Sequence, residues 1–205
     1  MAKRILPYRD YSEHDVLNLF SLDTSAEAAG FAGWTEAASG DHDSGVVVKV
    51  KTGELPGDLP GGLSEHASGE KLRKYLGDSP TSAHIGYNAY PYNGMTVEPA
   101  GAGEVAVGIT LRETLAYYEN GEKLLYYKQK LDEAQAVLPG QTVPVLTRGL
   151  VLLDSNAVTG NPDIGAQLEV GADGTLVADT EAGNALVATV VAKSGSDKFL
   201  CKISF

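Results

Sequence analysis

The run that decides the fold is Ala185-Leu186-Val187-Ala188-Thr189-Val190-Val191-Ala192, then Ser194-Gly195-Ser196-Asp197, then Lys198-Phe199-Leu200-Cys201-Lys202-Ile203-Ser204-Phe205. The outer pieces are rich in β-branched and alternating apolar residues, and the middle piece is a turn. Upstream the same cadence recurs. Thr142 to Leu146, Gly149 to Leu153, Ala166 to Val170 and Thr175 to Val177 read as strands, with Gly171-Ala172-Asp173-Gly174 as a second turn. Short strands at this spacing, punctuated by glycine, predict a small β-barrel or sandwich in the C-terminal half.

Moving toward the N-terminus, Val105-Ala106-Val107-Gly108-Ile109-Thr110-Leu111 reads as a buried strand. Leu115 to Glu119, Asn120-Gly121 and Glu122 to Tyr127 form a hairpin signature, because Asn-Gly supplies both positive-φ positions of a type I′ turn. The competing reading is a helix from Glu122 to Val137, since Leu124, Tyr127, Leu131, Ala134 and Leu138 recur at three- and four-residue spacing. The hairpin is favoured, with a helical turn near Leu131 to Ala136 that Pro139-Gly140 ends.

Before residue 104 the pattern loosens. Residues 25–103 read as a loop-rich α+β region. Val46 to Val50 is its clear strand, and a short helix around Glu70 to Leu76 stops at Gly77. Residues 1–24 read as an extended N-terminal arm: Pro7 opposes helix, and Ile5, Leu6, Tyr8 and Tyr11 are apolar or amphipathic anchors with no evident partner strand. The expected organisation is therefore an arm (1–24), a loop-rich region (25–103) and a β-barrel-like domain (104–205), mainly β overall with one or two short helices.

Composition agrees with a turn-rich β protein. The 24 glycines and 9 prolines among 205 residues exceed the usual combined share of roughly 12%. Sixteen basic against 27 acidic residues give a net charge of −11, and the acidity is spread along the chain. No basic stripe exists to neutralise phosphates, so nucleic acid and anionic membrane surfaces are poor partners. No apolar run reaches the roughly 18 residues of a membrane span, and the charged opening lacks a signal-peptide core. The single cysteine, Cys201, lies in an alternating strand and reads as a core thiol. A chain without disulfides fits assembly in a reducing cytoplasm.

Catalytic and cofactor signatures are weak. His14, His42, His66 and His84 are too dispersed for a zinc site, and Asp41-His42-Asp43 lacks the rest of a calcium loop. Ala100-Gly101-Ala102-Gly103 precedes a strand and lacks the third glycine of a dinucleotide fingerprint. There is no nucleophile elbow or Walker motif. The expectation is no enzyme activity, no metal and no cofactor. Tyr87, Tyr90 and Tyr92 could stack on sugars or line a protein interface.

Three stretches together resemble a known family. They are Lys3-Arg4-Ile5-Leu6-Pro7-Tyr8-Arg9-Asp10-Tyr11-Ser12-Glu13-His14-Asp15-Val16, Val107-Gly108-Ile109-Thr110-Leu111-Arg112-Glu113-Thr114, and Val137-Leu138-Pro139-Gly140-Gln141-Thr142-Val143-Pro144-Val145-Leu146-Thr147-Arg148-Gly149. They are similar to the head decoration, or cement, proteins of tailed bacteriophages, particularly those of marine and cyanobacterial phages. The resemblance implies a virion protein, assembled in the host cytoplasm, that binds the outer capsid surface. It would bridge neighbouring major capsid protein subunits and self-associate as a dimer or trimer. Ile5, Leu6, Pro7, Tyr8 and Tyr11 are then the expected capsid-binding arm. The alternative is a carbohydrate-binding or host-adhesion module using Tyr87, Tyr90 and Tyr92. A hydrolase is the enzyme alternative, and it needs two carboxylates at glycosidase separation.

Overall fold

The structure, a computed structural model, describes residues 5–22, 44–53, 95–114, 126, 128–134, 136–138, 141–178 and 185–205. In chain order the strands are β1 (Ile5–Asp10), β2 (Val16–Leu17), β3 (Ser21–Leu22), β4 (Val47–Gly53), β5 (Met95–Pro99), β6 (Gly108–Thr110), β7 (Glu113–Thr114), β8 (Ala136–Val137), β9 (Val145–Leu146), β10 (Arg148–Asp154), β11 (Val158–Thr159), β12 (Gln167–Val170), β13 (Leu176–Ala178), β14 (Leu186–Ser194) and β15 (Lys198–Ser204). A helix, α1, spans Lys128–Ala134. The protein is mainly β, as its sequence predicts.

The strands form a seven-stranded sheet, β1-β10-β15-β14-β12-β13-β11, and a six-stranded sheet, β2-β9-β6-β4-β5-β3, with β7 and β8 as a separate parallel pair. Both large sheets are open, so the architecture is layered like a sandwich and is not a closed barrel. Alternation in β10, β14 and β15 does most of the work. Val151 is registered on Cys201 and Cys201 on Val190, while Leu153 meets Phe199. These side chains share one core with Leu168 and Leu176 from the same sheet and Val47, Ile109 and Leu146 from the other. Val46 and Val48 point the opposite way, into a second cluster with Phe20, Val97, Val143 and Val145. The continuous valine run of β4 is thus explained by burial on both faces.

Three register irregularities shape the seven-stranded sheet, one of them where Val187 on β14 falls between the Leu168–Ala188 and Glu169–Leu186 pairs. On β14, Val190 pairs with Cys201 but Ala192 pairs with Leu200, so Val191 is an extra residue and remains 45% exposed. On β1, Ile5 pairs with Leu153 and Arg9 with Val151, so more residues lie on β1 than on its partner between those pairs. Pro7 falls inside that irregularity on an outermost strand, where a missing N–H breaks no ladder bond.

The segment read as a free arm is instead part of the fold. β1 pairs with β10, β2 with β9 and β3 with β5. The boundaries at 24 and 103 do not separate bodies either, because the six-stranded sheet combines strands from both sides of each. Long-range pairing, which local periodicity does not encode, is the reason. The expected strand from Val105 to Leu111 contracts to β6, since residues 101–107 turn between the sheets. That from Thr142 to Leu146 contracts to β9, with Pro144 unable to donate to a ladder. The helical turn expected near Leu131 to Ala136 is α1, begun earlier, and Ala136 belongs to β8. The Asn120-Gly121 hairpin and the helix near Glu70 to Leu76 lie outside the described residues.

Candidate interaction surface

The residues assigned to capsid contact fall along β1 and just beyond it, and the structure divides them. The Ile5 N–H donates to Ser44 Oγ at 3.0 Å, and its side chain is only 8% exposed, within the shared core. Ile5 therefore anchors the strand to its own protein and is unavailable to a partner. Tyr11 is half-buried and packs against the same core. A Cβ on Gly149 would lie 2.6 Å from Tyr11 Cβ, so this close approach requires glycine near the start of the Arg148–Asp154 strand. Between these anchors Leu6 is half-buried, Pro7 is exposed and Tyr8 is 54% exposed.

Further contacts fix the segment along its length. Arg9 Nη1 donates to the Leu111 carbonyl at 3.2 Å. Ser12 Oγ accepts from the His14 N–H and caps a 3-10 turn over Glu13–Asp15. The Asp15 carbonyl then accepts from both the N–H and Oγ1 of Thr147, each at 2.9 Å. Val143 donates its N–H to the Phe20 carbonyl. The outcome is a pinned edge with a bulged tip, Leu6-Pro7-Tyr8, that offers one aromatic ring.

A second apolar feature lies on the outer face of the seven-stranded sheet. Leu152, Leu200 and Ala192 occupy one register row, all half-buried, with Leu150 on the same strand beside Lys202. The Gly165 N–H donates to Val190 and the Val190 N–H to Ala166, which brings Ile164, 62% exposed, alongside the Val191 bulge. Lys193 holds this neighbouring segment through Asp163 Oδ1 at 2.7 Å, and the ammonium keeps the Asp163 carboxyl below its ordinary range. Sequence reading missed this feature, because a bulge shifts Val191 out of the alternation that otherwise identifies inward residues.

Burial pushes the Cys201 thiol up to about 12, so it stays protonated at neutral pH. Among the described residues no three His, Cys, Asp or Glu side chains converge as a metal site, and no helix is long and apolar enough to cross a membrane. Tyr87, Tyr90 and Tyr92 lie outside the described residues. Comparison with known proteins finds no matching family model, no matching curated protein and no matching solved structure.

Proposed function

We propose that this chain is a structural virion protein that decorates the outer surface of a tailed-phage capsid and stabilises it by bridging neighbouring major capsid subunits. The resemblance of residues 3–16, 107–114 and 137–149 to cement proteins carries the reading. The bulged edge of β1 supports it and changes its mechanism. An arm that orders on binding would lose roughly 1–2 kcal/mol per fixed residue. An edge strand already pinned at Ile5, Arg9 and Tyr11 avoids that loss. Tyr8, with Leu6 and Pro7 beside it, is then the contact, and an aromatic ring on a rigid support is a favourable anchor.

In this reading the protein has no catalytic role and no cofactor, and it self-associates as a dimer or trimer so that each assembly touches more than one capsid subunit. Many weak, repeated contacts then add to a strong net. The test is co-sedimentation of purified protein with undecorated heads of a phage that encodes it. Wild type should pellet with the heads, and Tyr8→Ala should pellet several-fold less while keeping its own unfolding midpoint. Equal pelleting of the two would remove Tyr8 from the contact, and no pelleting of wild type would remove the function.

A further inference from the structure

Residues 100–107 cross from one sheet toward the other, with Ala100 buried in the shared core, Ala106 packed against it, Val107 packed against the second cluster, and polar contacts holding the residues between. At the ends, the Ala100 N–H donates to the Val47 carbonyl at 2.9 Å and the Val107 N–H to the Val48 carbonyl at 2.8 Å, which ties the segment to β4. In between, the Gly103 N–H donates to the Val170 carbonyl on β12 at 3.3 Å, and the Gly174 N–H donates back to the Ala100 carbonyl at 2.7 Å. The segment is therefore a strap across both sheets. Its outward residues add little apolar hold, since Ala102 and Gly103 are exposed and Val105 is 84% exposed.

One side chain closes the strap. Glu104 Oε2 accepts from the Gly101 N–H at 2.6 Å, and Oε1 accepts from Lys49 Nζ at 2.7 Å. Lys49 also faces Glu98 at 3.3 Å, its cross-strand neighbour, and Lys51 lies 3.5 Å from the other Glu98 oxygen. Asp173, on the 3-10 turn that packs against β4, and the buried Glu169 on β12 are the other charged residues on the described neighbouring elements.

We propose that residues 100–107 are an ion-pair latch between the two sheets, closed by Lys49 and Glu104 and opened by loss of either charge. The signs follow from the partners. The Lys49 hydrogen bond lowers the Glu104 pKa below 4.5, so its contribution is present above that value and is lost as pH falls through the depressed pKa. The Glu104 hydrogen bond raises the Lys49 pKa above 10.5, so its contribution is present below that value and is lost as pH rises through the elevated pKa. The latch opens first at acid pH, at Gly103 and Gly174, while the β10–β15 core stays closed.

Native-state amide exchange of the full chain tests this, with protection corrected for intrinsic rates. Glu104→Gln keeps an acceptor for Gly101 but removes the charge. It should lower protection of the Gly103 and Gly174 amides about two- to five-fold at neutral pH, with Cys201 unchanged. Wild type should show the same local loss as pH is lowered through the Glu104 titration, and the variant should lose nothing further over that range. Lys49→Met should reproduce the neutral-pH effect. Protection at Gly103 and Gly174 that does not change, that changes together with Cys201, or that keeps its acid dependence in Glu104→Gln would overturn the latch.

Discussion

Replacing Gly174 by alanine tests how the two sheets are joined. Gly174 has φ +69°, a left-handed conformation, directly after Asp173 at φ +54°. An L-residue there costs about 1–2 kcal/mol. A Cβ would also meet Val46 Cγ1 and would lie 2.6 Å from the Val47 carbonyl oxygen. Backbone of a buried central strand has little room to yield, and overpacking of this kind costs about 1–3 kcal/mol more. The expected destabilisation is therefore about 2–5 kcal/mol, a large part of the roughly 5–15 kcal/mol that holds a typical domain together. Gly195 supplies the control, since it has φ +63° but a Cβ there would meet nothing within 4 Å. Gly195→Ala should lose only the conformational share, about 1–2 kcal/mol. Urea unfolding of both variants, with unchanged slope against denaturant, gives the two numbers. Equal losses in the two variants would refute the claim that Gly174 is fixed by close contact with β4.

Other expectations concern the core and its polar seams. Thr110→Val removes the Oγ1 that accepts from the Val46 N–H at 3.1 Å and should cost about 1–3 kcal/mol by leaving a buried donor unpaired, read as a lower urea midpoint. Phe199→Ala, at a fully buried position, should cost about 3–5 kcal/mol in the same assay. Because the folded thiol of Cys201 ionises near 12 and the unfolded one near 9.0, the unfolded state loses its proton first as pH rises. Stability should fall above pH 9 by up to about 1.4 kcal/mol per unit, and Cys201→Ala should abolish that share of the slope.

The legible part of this fold is where alternation is undisturbed. β10 and β15 follow directly from inward Val151, Leu153, Phe199 and Cys201, and the apolar runs of β4 and β14 are equally plain. β1 was hidden because its bulge and Pro7 break the period of two, while Arg9 and Asp10 give it the look of a solvated tail. The strands β2, β3 and β11 are two residues long, too short to carry any period, and exist because distant partners complete them. Val105 misled in the other direction, an apolar residue held out in water by a strap that polar contacts secure. At the candidate surface, an exposed Tyr8 was readable as an anchor. The burial of Ile5 was not, since it depends on Ser44, 39 residues away.

The most direct measurement of the central claim is the protein composition of heads purified from a phage that encodes this chain. Quantitative mass spectrometry of washed, intact heads should find the chain in a fixed ratio to the major capsid protein. Stripping it should lower the temperature at which the heads release DNA, and adding it back should restore that temperature. Absence of the chain from intact heads, or a ratio that falls toward zero with washing while heat resistance is unchanged, would contradict it.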